Sequence, residues 1–404
     1  MKNSELLKAL GESVSEDELV ALTRKLVSIP SHWETGELET GVVKVLEGLF
    51  SAEGINYELQ AVDGKRSNII ARLPGTGGGR SLAFNGHLDT VPPYNMTVNP
   101  YEAEIDGRRI YGRGTSDMKG PIAAMVMTLV AFRRSGISLK GDLCFTGVLA
   151  EETNSIGVET LVKSGFKVDG AVVGEPSGSE YAIGHRGLEW LEIEFKGKAV
   201  HSGIAEQGVN AIVNAAKFIV RLDEQVVPRL KTINNEFTGP AVVNVGFISG
   251  GTQPSTVADN CLVQIDRRYT PEEKLTDVIE EFEKILESMR LEDPTFKAEL
   301  RRVESSLMNS YDHVPLLTPF EDQLVKSLVA SMEFVLGQPP GLTRRRGWTD
   351  AAILNYYGKI PTAVYGPGDI TRSHTPDEYI TIDELAEGFK IYSLLAGNFC
   401  KLAE

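Results

Sequence analysis

Cysteine is scarce in this 404-residue sequence. Its three cysteines, Cys144, Cys261 and Cys400, are far apart and odd in number, and no zinc-finger or redox spacing appears. A reducing cytoplasm is therefore the expected compartment, with the thiols serving as small core residues. Long apolar runs are also missing. No stretch reaches the roughly 18 unbroken apolar residues of a membrane-spanning helix. The opening MKNSELLKALGESVSEDELV is acidic and amphipathic, unlike a signal peptide. Positive charge is in deficit, with 41 Lys and Arg against 56 Asp and Glu, a net −15. Such a field disfavours nucleic acid or an anionic membrane as the main partner. The one dense basic run, Arg344-Arg345-Arg346, is too short to reverse the balance, but it leaves room for a local positive pocket. Neither an internal repeat nor a low-complexity tract is visible.

What is present is an alternation of apolar segments. The length favours two or three domains with ample core. Helical patterns occupy about 4–10, 16–28 and 36–54, the last closed by Gly54. Short strands follow near 55–61 and 67–73, then the strand SLAFNGH after a GTGGG turn. A strongly apolar helix at 121–136, a strand at 141–150, a short helix at 157–165 and a strand at 169–176 come next. This rhythm predicts an α/β fold, a mainly parallel sheet flanked by helices. From about residue 181 it changes to β-α-β-β-α-β: a long strand over 181–199, a helix over 210–226, the strands AVVNVGFI and CLVQIDRRY, a helix over 271–290 with Pro at its start, and a strand over 296–303. That order is the ferredoxin-like α+β pattern. Residues 183–298 are thus expected to form an inserted domain. Residues 1–182 and 299–404 would make up the α/β domain, which resumes with a helix at 319–336, a strand near 361–365 and a final helix from Ile382.

Open α/β sheets bind ligands beyond the carboxyl ends of their strands. Those ends carry chemistry here. FNGHLDT delivers His87 and Asp89, and GRGTSDMKG delivers Asp117. The strand at 141–150 leads to Glu151 and Glu152, the next to Glu175, and the late TAVYGPG…RSHTPDEY stretch to His374. Singly, each has a plainer reading: a core histidine, a helix cap at Asp117, a turn residue before Pro176. Gathered at one edge, so many carboxylates would repel one another and raise one another's pKa. A divalent cation relieves this. Imidazole mixed with carboxylate suits zinc better than magnesium or calcium. Five ligand candidates exceed one tetrahedral zinc, whereas two metals sharing a bridging carboxylate would use them all.

GHLDT, GRGTSDMKGP, AEET, GEP, KAVHSG and SHTPDEY occur together and in order. The sequence in this respect resembles the zinc amidohydrolases and metallopeptidases of the acetylornithine deacetylase, succinyl-diaminopimelate desuccinylase, aminoacylase and carboxypeptidase G family, over about residues 15–400. The resemblance implies a zinc-peptidase-like catalytic domain with an inserted ferredoxin-like domain. It implies two zinc ions, replaceable by cobalt or manganese: His87 and Glu175 on one, Glu152 and His374 on the other, and Asp117 bridging. Asp89 would orient the His87 imidazole, and Glu151 would be the general base. His201 would donate to the tetrahedral oxyanion, often across a dimer. Asn244 and Arg268 would contact polar substrate groups, and Gly366 and Gly368 would line the pocket. His32, His185 and His313 match no ligand position and are expected to be structural.

The implied activity is hydrolysis of an amide in a small N-acyl amino acid. Alternatives are a carboxypeptidase or dipeptidase on the same metals, or an inactive binding protein on the same scaffold. The intact Glu151 argues against the last. A homodimer through the inserted domain is expected, because an exposed sheet edge invites pairing with a second copy. Two departures from the family pattern lie where substrate would be held: Ser255 with Ala258 in GGTQPSTVADNC, and the bulky RRRGWTDAAIL.

Overall fold

The computed structural model describes residues 1–403, the side chain of Ser306 excepted; Glu404, the end of the expected second α/β segment, lies outside them. The first sheet has six strands in the order Asn56–Asp63, Arg66–Leu73, Leu143–Val148, Leu82–His87, Gly170–Val173, Thr362–Val364. The first two pairings are antiparallel, and the remaining three are parallel. The parallel strands are buried on both faces, so alternate side chains feed two cores. Phe84 and Phe145 join one core, with the helices Glu16–Val27, Thr40–Glu53, Gly120–Ser135 and Ile382–Cys400. Ala83 and Cys144 join the other, with Ile156–Lys163 and Ala351–Tyr356. All three cysteines are buried and free.

The helix Gly120–Ser135 is buried along most of its length, with Pro121 in its first turn and Gly136 ending it at φ +70°. Proline is suited to the first turn because its missing N–H would be unpaired there anyway, and glycine to the left-handed end. The final helix opens on a capping box, Thr381 with Glu384. No helix is long and apolar enough to cross a membrane among the described residues.

A second sheet runs from Gly187 to Arg302, in the order Val242–Gly250, Asn260–Tyr269, Gly187–Lys196, Lys297–Arg302. Every pairing in it is antiparallel. In chain order its strands lie second, third, first, fourth, the ferredoxin-like arrangement. Gly187–Lys196 alternates buried and less buried positions, and Leu191, Ile193 and Phe195 pack against Phe218, Phe282 and Leu286 of the two helices.

Several expected elements differ in their bounds; the helices expected at 36–54 and 319–336 begin at Thr40 and Gln323. The long strand over 181–199 is three pieces with three different partners: Glu180–Tyr181 beside Gly341–Leu342, Gly184–His185 beside Leu316–Leu317, and Gly187–Lys196 in the second sheet. The chain is crossing between sheets there, so no single partner strand can accompany it. The helix expected at 271–290 begins instead at Leu275 and ends at Glu292. Glu273 explains the delay. Its carboxylate accepts from the Thr270 N–H at 2.9 Å and pairs with the buried Arg267, which holds residues 270–273 in a turn.

Candidate metal centre

Loops leaving the carboxyl ends of the parallel strands meet at one place. His87 ends the strand Leu82–His87, and both it and Asp89 are buried. The His87 Nδ1 faces the Asp89 carbonyl at 3.1 Å and the Asp89 Oδ1 at 3.5 Å. Asp89 is itself pinned, its two oxygens accepting from the Glu151 N–H at 3.2 Å and the Glu152 N–H at 3.0 Å. One carboxylate therefore ties the first strand end to the second. Ala150 makes that turn possible. It takes φ +61°, unusual for a residue with a side chain. Its carbonyl accepts from Asn154 and Ser155, which stabilises the bend.

Asp117 lies between two imidazoles. Its Oδ1 is 3.1 Å from His87 Nε2, and its Oδ2 is 3.6 Å from His374 Nε2. Glu152 Oε1 is 3.0 Å from His374 Nε2, and Glu175 Oε1 is 3.8 Å from His87 Nε2. Possible ligand atoms of His87, Asp117 and Glu152 all lie within 4.8 Å of one another, as do those of His87, Glu151 and Glu175. His374 also takes the left-handed region, φ +63°.

Burial and mutual charge shift the cluster's titration. Desolvation holds the Glu151 carboxyl well above its usual range, and the Glu175 charge adds to this. Desolvation likewise pushes Glu175 up to about 7. The hydrogen bond to Glu152 raises His374 to about 9. Burial opposes ionisation of Asp117, but the His87 contact outweighs it and holds Asp117 down to about 2. Glu175 Oε1 is buried with no hydrogen-bond partner among the described residues. A buried, unpartnered carboxylate oxygen aimed at an imidazole is costly without a cation. With two imidazoles and several carboxylates around it, the donor set fits divalent cations of the zinc type.

The remaining expected residues lie elsewhere. His201 is exposed, its Nδ1 accepting from the Gly203 N–H at 3.0 Å, and no hydrogen bond or ion pair links it to the cluster among the described residues. Asn244 is exposed on Val242–Gly250. Arg268, on the neighbouring strand, is held by Asp266, with Nε 2.8 Å from Oδ1. Gly366 and Gly368 instead press on the cluster's loops. A Cβ on Gly366 would lie 2.1 Å from the Gly174 carbonyl oxygen, and one on Gly368 would lie 2.7 Å from Ser116 Oγ. His32, His185 and His313 are buried and belong to neither group of possible ligands; His185, for instance, faces Thr349 Oγ1 at 3.0 Å.

Three supporting residues, Glu378, Lys119 and Asp350, escaped the sequence reading, and a fourth, Arg345, was read only as part of a basic run. Glu378, within SHTPDEY, is fully buried; its Oε1 accepts from the Ser116 and Asp117 N–H groups at 3.0 and 3.1 Å, and its Oε2 from Arg113 Nη1 at 2.6 Å. Arg345 donates to Glu175 Oε2 at 2.8 Å. Lys119 is buried, with Nζ 2.6 Å from the Ile29 carbonyl, and burial brings its pKa down to about 7. Asp350 is buried with both oxygens unpartnered among the described residues, and burial pushes it up to about 8. The available signal was their place inside the quoted motifs; nothing in their spacing says that they are buried.

Residues 83–398 match the family described as Peptidase family M20/M25/M40. A protein named probable succinyl-diaminopimelate desuccinylase, from Staphylococcus aureus, is 27% identical over 421 residues, covering 96% of this chain and 98% of that one. The aminopeptidase PepT of Bacillus cereus superposes with a TM-score of 0.79 at 23% identity, covering 96% of this chain and all of that one. A dinuclear metal-binding M20 peptidase of Bacillus subtilis superposes with a TM-score of 0.69 at 19% identity, covering 94% and 97%. The family match spans most of the sequence, and the chain belongs to Peptidase family M20/M25/M40, as a metallo-hydrolase acting on amide bonds.

Proposed function

We propose that this protein removes the acyl group from an N-acyl amino acid, with two zinc ions held by His87, Asp117, Glu152, Glu175 and His374. The observation that carries the reading is Asp117, which turns one oxygen to each imidazole, at 3.1 and 3.6 Å. A bridging carboxylate needs that disposition. His87 and Glu175 would complete one site, and Glu152 and His374 the other. When bound, the ions would polarise the amide carbonyl and lower the pKa of a water molecule.

The chain's own residues would do the rest. Asp89 keeps the His87 ring oriented through Nδ1, as a carboxylate behind a ligand histidine does. Glu151 takes a proton from the attacking water and passes it to the leaving nitrogen, so that the C–N bond breaks to give a free amine and a carboxylic acid. His201 would donate to the oxyanion, and Asn244 and Arg268 would touch polar groups of the substrate. Gly366 and Gly368 leave the loops of Glu175 and Asp117 room to approach.

Residues 183–298 would then serve as a lid and dimerisation domain. The outer strand Val242–Gly250 leaves one edge unpaired among the described residues and exposes Phe247 and Ile248, at 47% and 50%. Such an edge is well suited to pairing with a second copy.

The test is a panel of N-acetyl and N-succinyl amino acids and dipeptides, assayed with added zinc or cobalt, on the protein and its Glu151→Ala variant. The variant should still bind metal by calorimetry and lose about 100- to 10,000-fold in turnover. Cleavage of dipeptides alone would favour the peptidase reading. Full activity of the variant, or no uptake of metal by the folded protein, would end the proposal.

A further inference from the structure

A cleft of about 690 Å³ opens where the two sheets adjoin, lined by Arg186, Arg344 and Arg346 together with Glu180, Pro240 and Val242. Three guanidinium groups face it against one carboxylate. Most other arginines are ion-paired, Arg66 with Glu39, Arg134 with Glu53 and Arg302 with Glu189 among them, although Arg24 and Arg133 likewise donate only to backbone carbonyls. The cleft arginines lack such partners. Among the described residues Arg186 donates only to the Pro240 carbonyl, at 3.0 Å, and Arg344 only to the Glu236 carbonyl, at 2.8 Å. Arg346 has neither a hydrogen bond nor an ion pair among the described residues. Arg186 is half-buried, and its Nε is fully buried without a partner among them. Desolvation, then the charges of Arg268 and Arg346, push the Arg186 guanidinium below its usual pKa, with the Asp266 charge opposing them in part.

Solvated surface arginines account for Arg344 and Arg346 taken singly, since both are exposed. They do not account for a half-buried Arg186 held against its neighbours' charge. Nor does Arg268 offer free charge of its own, because Asp266 already holds it. A cluster of this kind is complete only with an anion supplied from outside.

The cleft also adjoins the carboxylate cluster. Arg345, between the two exposed arginines, turns the other way and donates to Glu175 Oε2 at 2.8 Å. Alternate residues of an extended segment face opposite sides. One short stretch, 344–346, therefore forms a wall of the cleft on one side and touches the cluster on the other. Leu342 and Thr343, with Arg344 and Arg346 after them, build that wall.

We propose that this cleft is an anion site, formed by Arg186, Arg344 and Arg346, for a carboxylate at the end of the amide substrate away from the scissile bond. The preferred substrate class is then an amide carrying an acidic acyl or side-chain terminus. This rests on the deacylase reading above. The same carboxylate or phosphate chemistry could instead come from a separate small anion, and the experiment distinguishes the two sources.

Values of kcat/KM are compared for N-succinyl and N-succinamyl forms of one amino acid, which differ only in the terminal charge. Wild type is expected to favour the succinyl form at least tenfold. Arg346→Gln, at an exposed position with no partner to lose, should cut that preference about tenfold while melting at the wild-type temperature. Inorganic phosphate binding is measured in parallel by calorimetry. Hydrolysis of both amides with a ratio near one overturns the proposal, and phosphate binding that Arg346→Gln abolishes would then identify a separate anion as the occupant. A preference untouched by Arg346→Gln and by Arg344→Gln overturns it as well. Failure to cleave any amide overturns the deacylase reading instead, and the phosphate titration still reports on the cleft.

Discussion

Glu378→Gln tests the claim that a buried ion pair anchors the Asp117 loop. The wild-type carboxylate makes three contacts at full burial: two with the N–H groups of Ser116 and Asp117, and one with Arg113, itself 2% exposed. Glutamine keeps the shape but has one acceptor oxygen. If the oxygen faces the backbone, its NH₂ meets the Arg113 donors; if it faces Arg113, the NH₂ meets two N–H groups. Either orientation leaves donors opposed and the Arg113 charge unmatched. Removing one partner of a buried pair typically costs about 3–5 kcal/mol, a factor of about 150 to 5,000 in the folded population. Arg113→Met removes the stranded charge, so the double variant should be less destabilised than the sum of the singles by about 1–3 kcal/mol. Guanidinium unfolding midpoints at neutral pH would measure both numbers. Calorimetric zinc titration of the folded variant should show at least tenfold weaker uptake, because Asp117 loses its backbone anchor. A single variant within about 1 kcal/mol of wild type, or strict additivity in the double, would refute the reasoning.

Two further outcomes follow from packing and from the proposed dimer. Gly366→Ala places a methyl 2.1 Å from the Gly174 carbonyl oxygen, and backbone cannot yield as a side chain can, so the Glu175 loop must shift. Activity should fall at least tenfold. Gly48→Ala, in the helix Thr40–Glu53 with nothing within 4 Å of the new Cβ, should raise stability by about 0.5–1 kcal/mol and serves as the control. If His201 serves the partner's site, mixing inactive Glu151→Ala and His201→Ala proteins under exchange should restore activity, since one site per hybrid is then complete. No restoration, together with a monomeric mass by light scattering, would remove the dimer proposal.

The fold was largely legible because its elements announce themselves by period and punctuation. Gly54 and Gly136 mark helix ends, and the alternation in GLEWLEIEFK marks a half-buried strand. The 181–199 segment was misread because apolar alternation looks the same whether a strand keeps one partner or changes partner twice. The helix expected from Pro271 was misread because the lure of Arg267 for Glu273 is a contact, not a propensity. The same holds in the candidate site. The strand-end residues His87, Asp117, Glu152, Glu175 and His374 stand out in sequence, because strand ends are where α/β sheets expose chemistry. Glu378, Lys119 and Asp350 read as ordinary surface charges until burial is known.

The order of the amino acids alone was enough for the class of fold, the family motifs and the residue types able to hold divalent cations, because each of these is carried by spacing along the chain. Which oxygen of Asp117 faces which imidazole, the Glu378 anchor beneath it and the uncompensated arginines of the neighbouring cleft follow from packing. They bring together groups tens to hundreds of residues apart, and burial and pairing of such groups depend on distance in space rather than on separation in sequence.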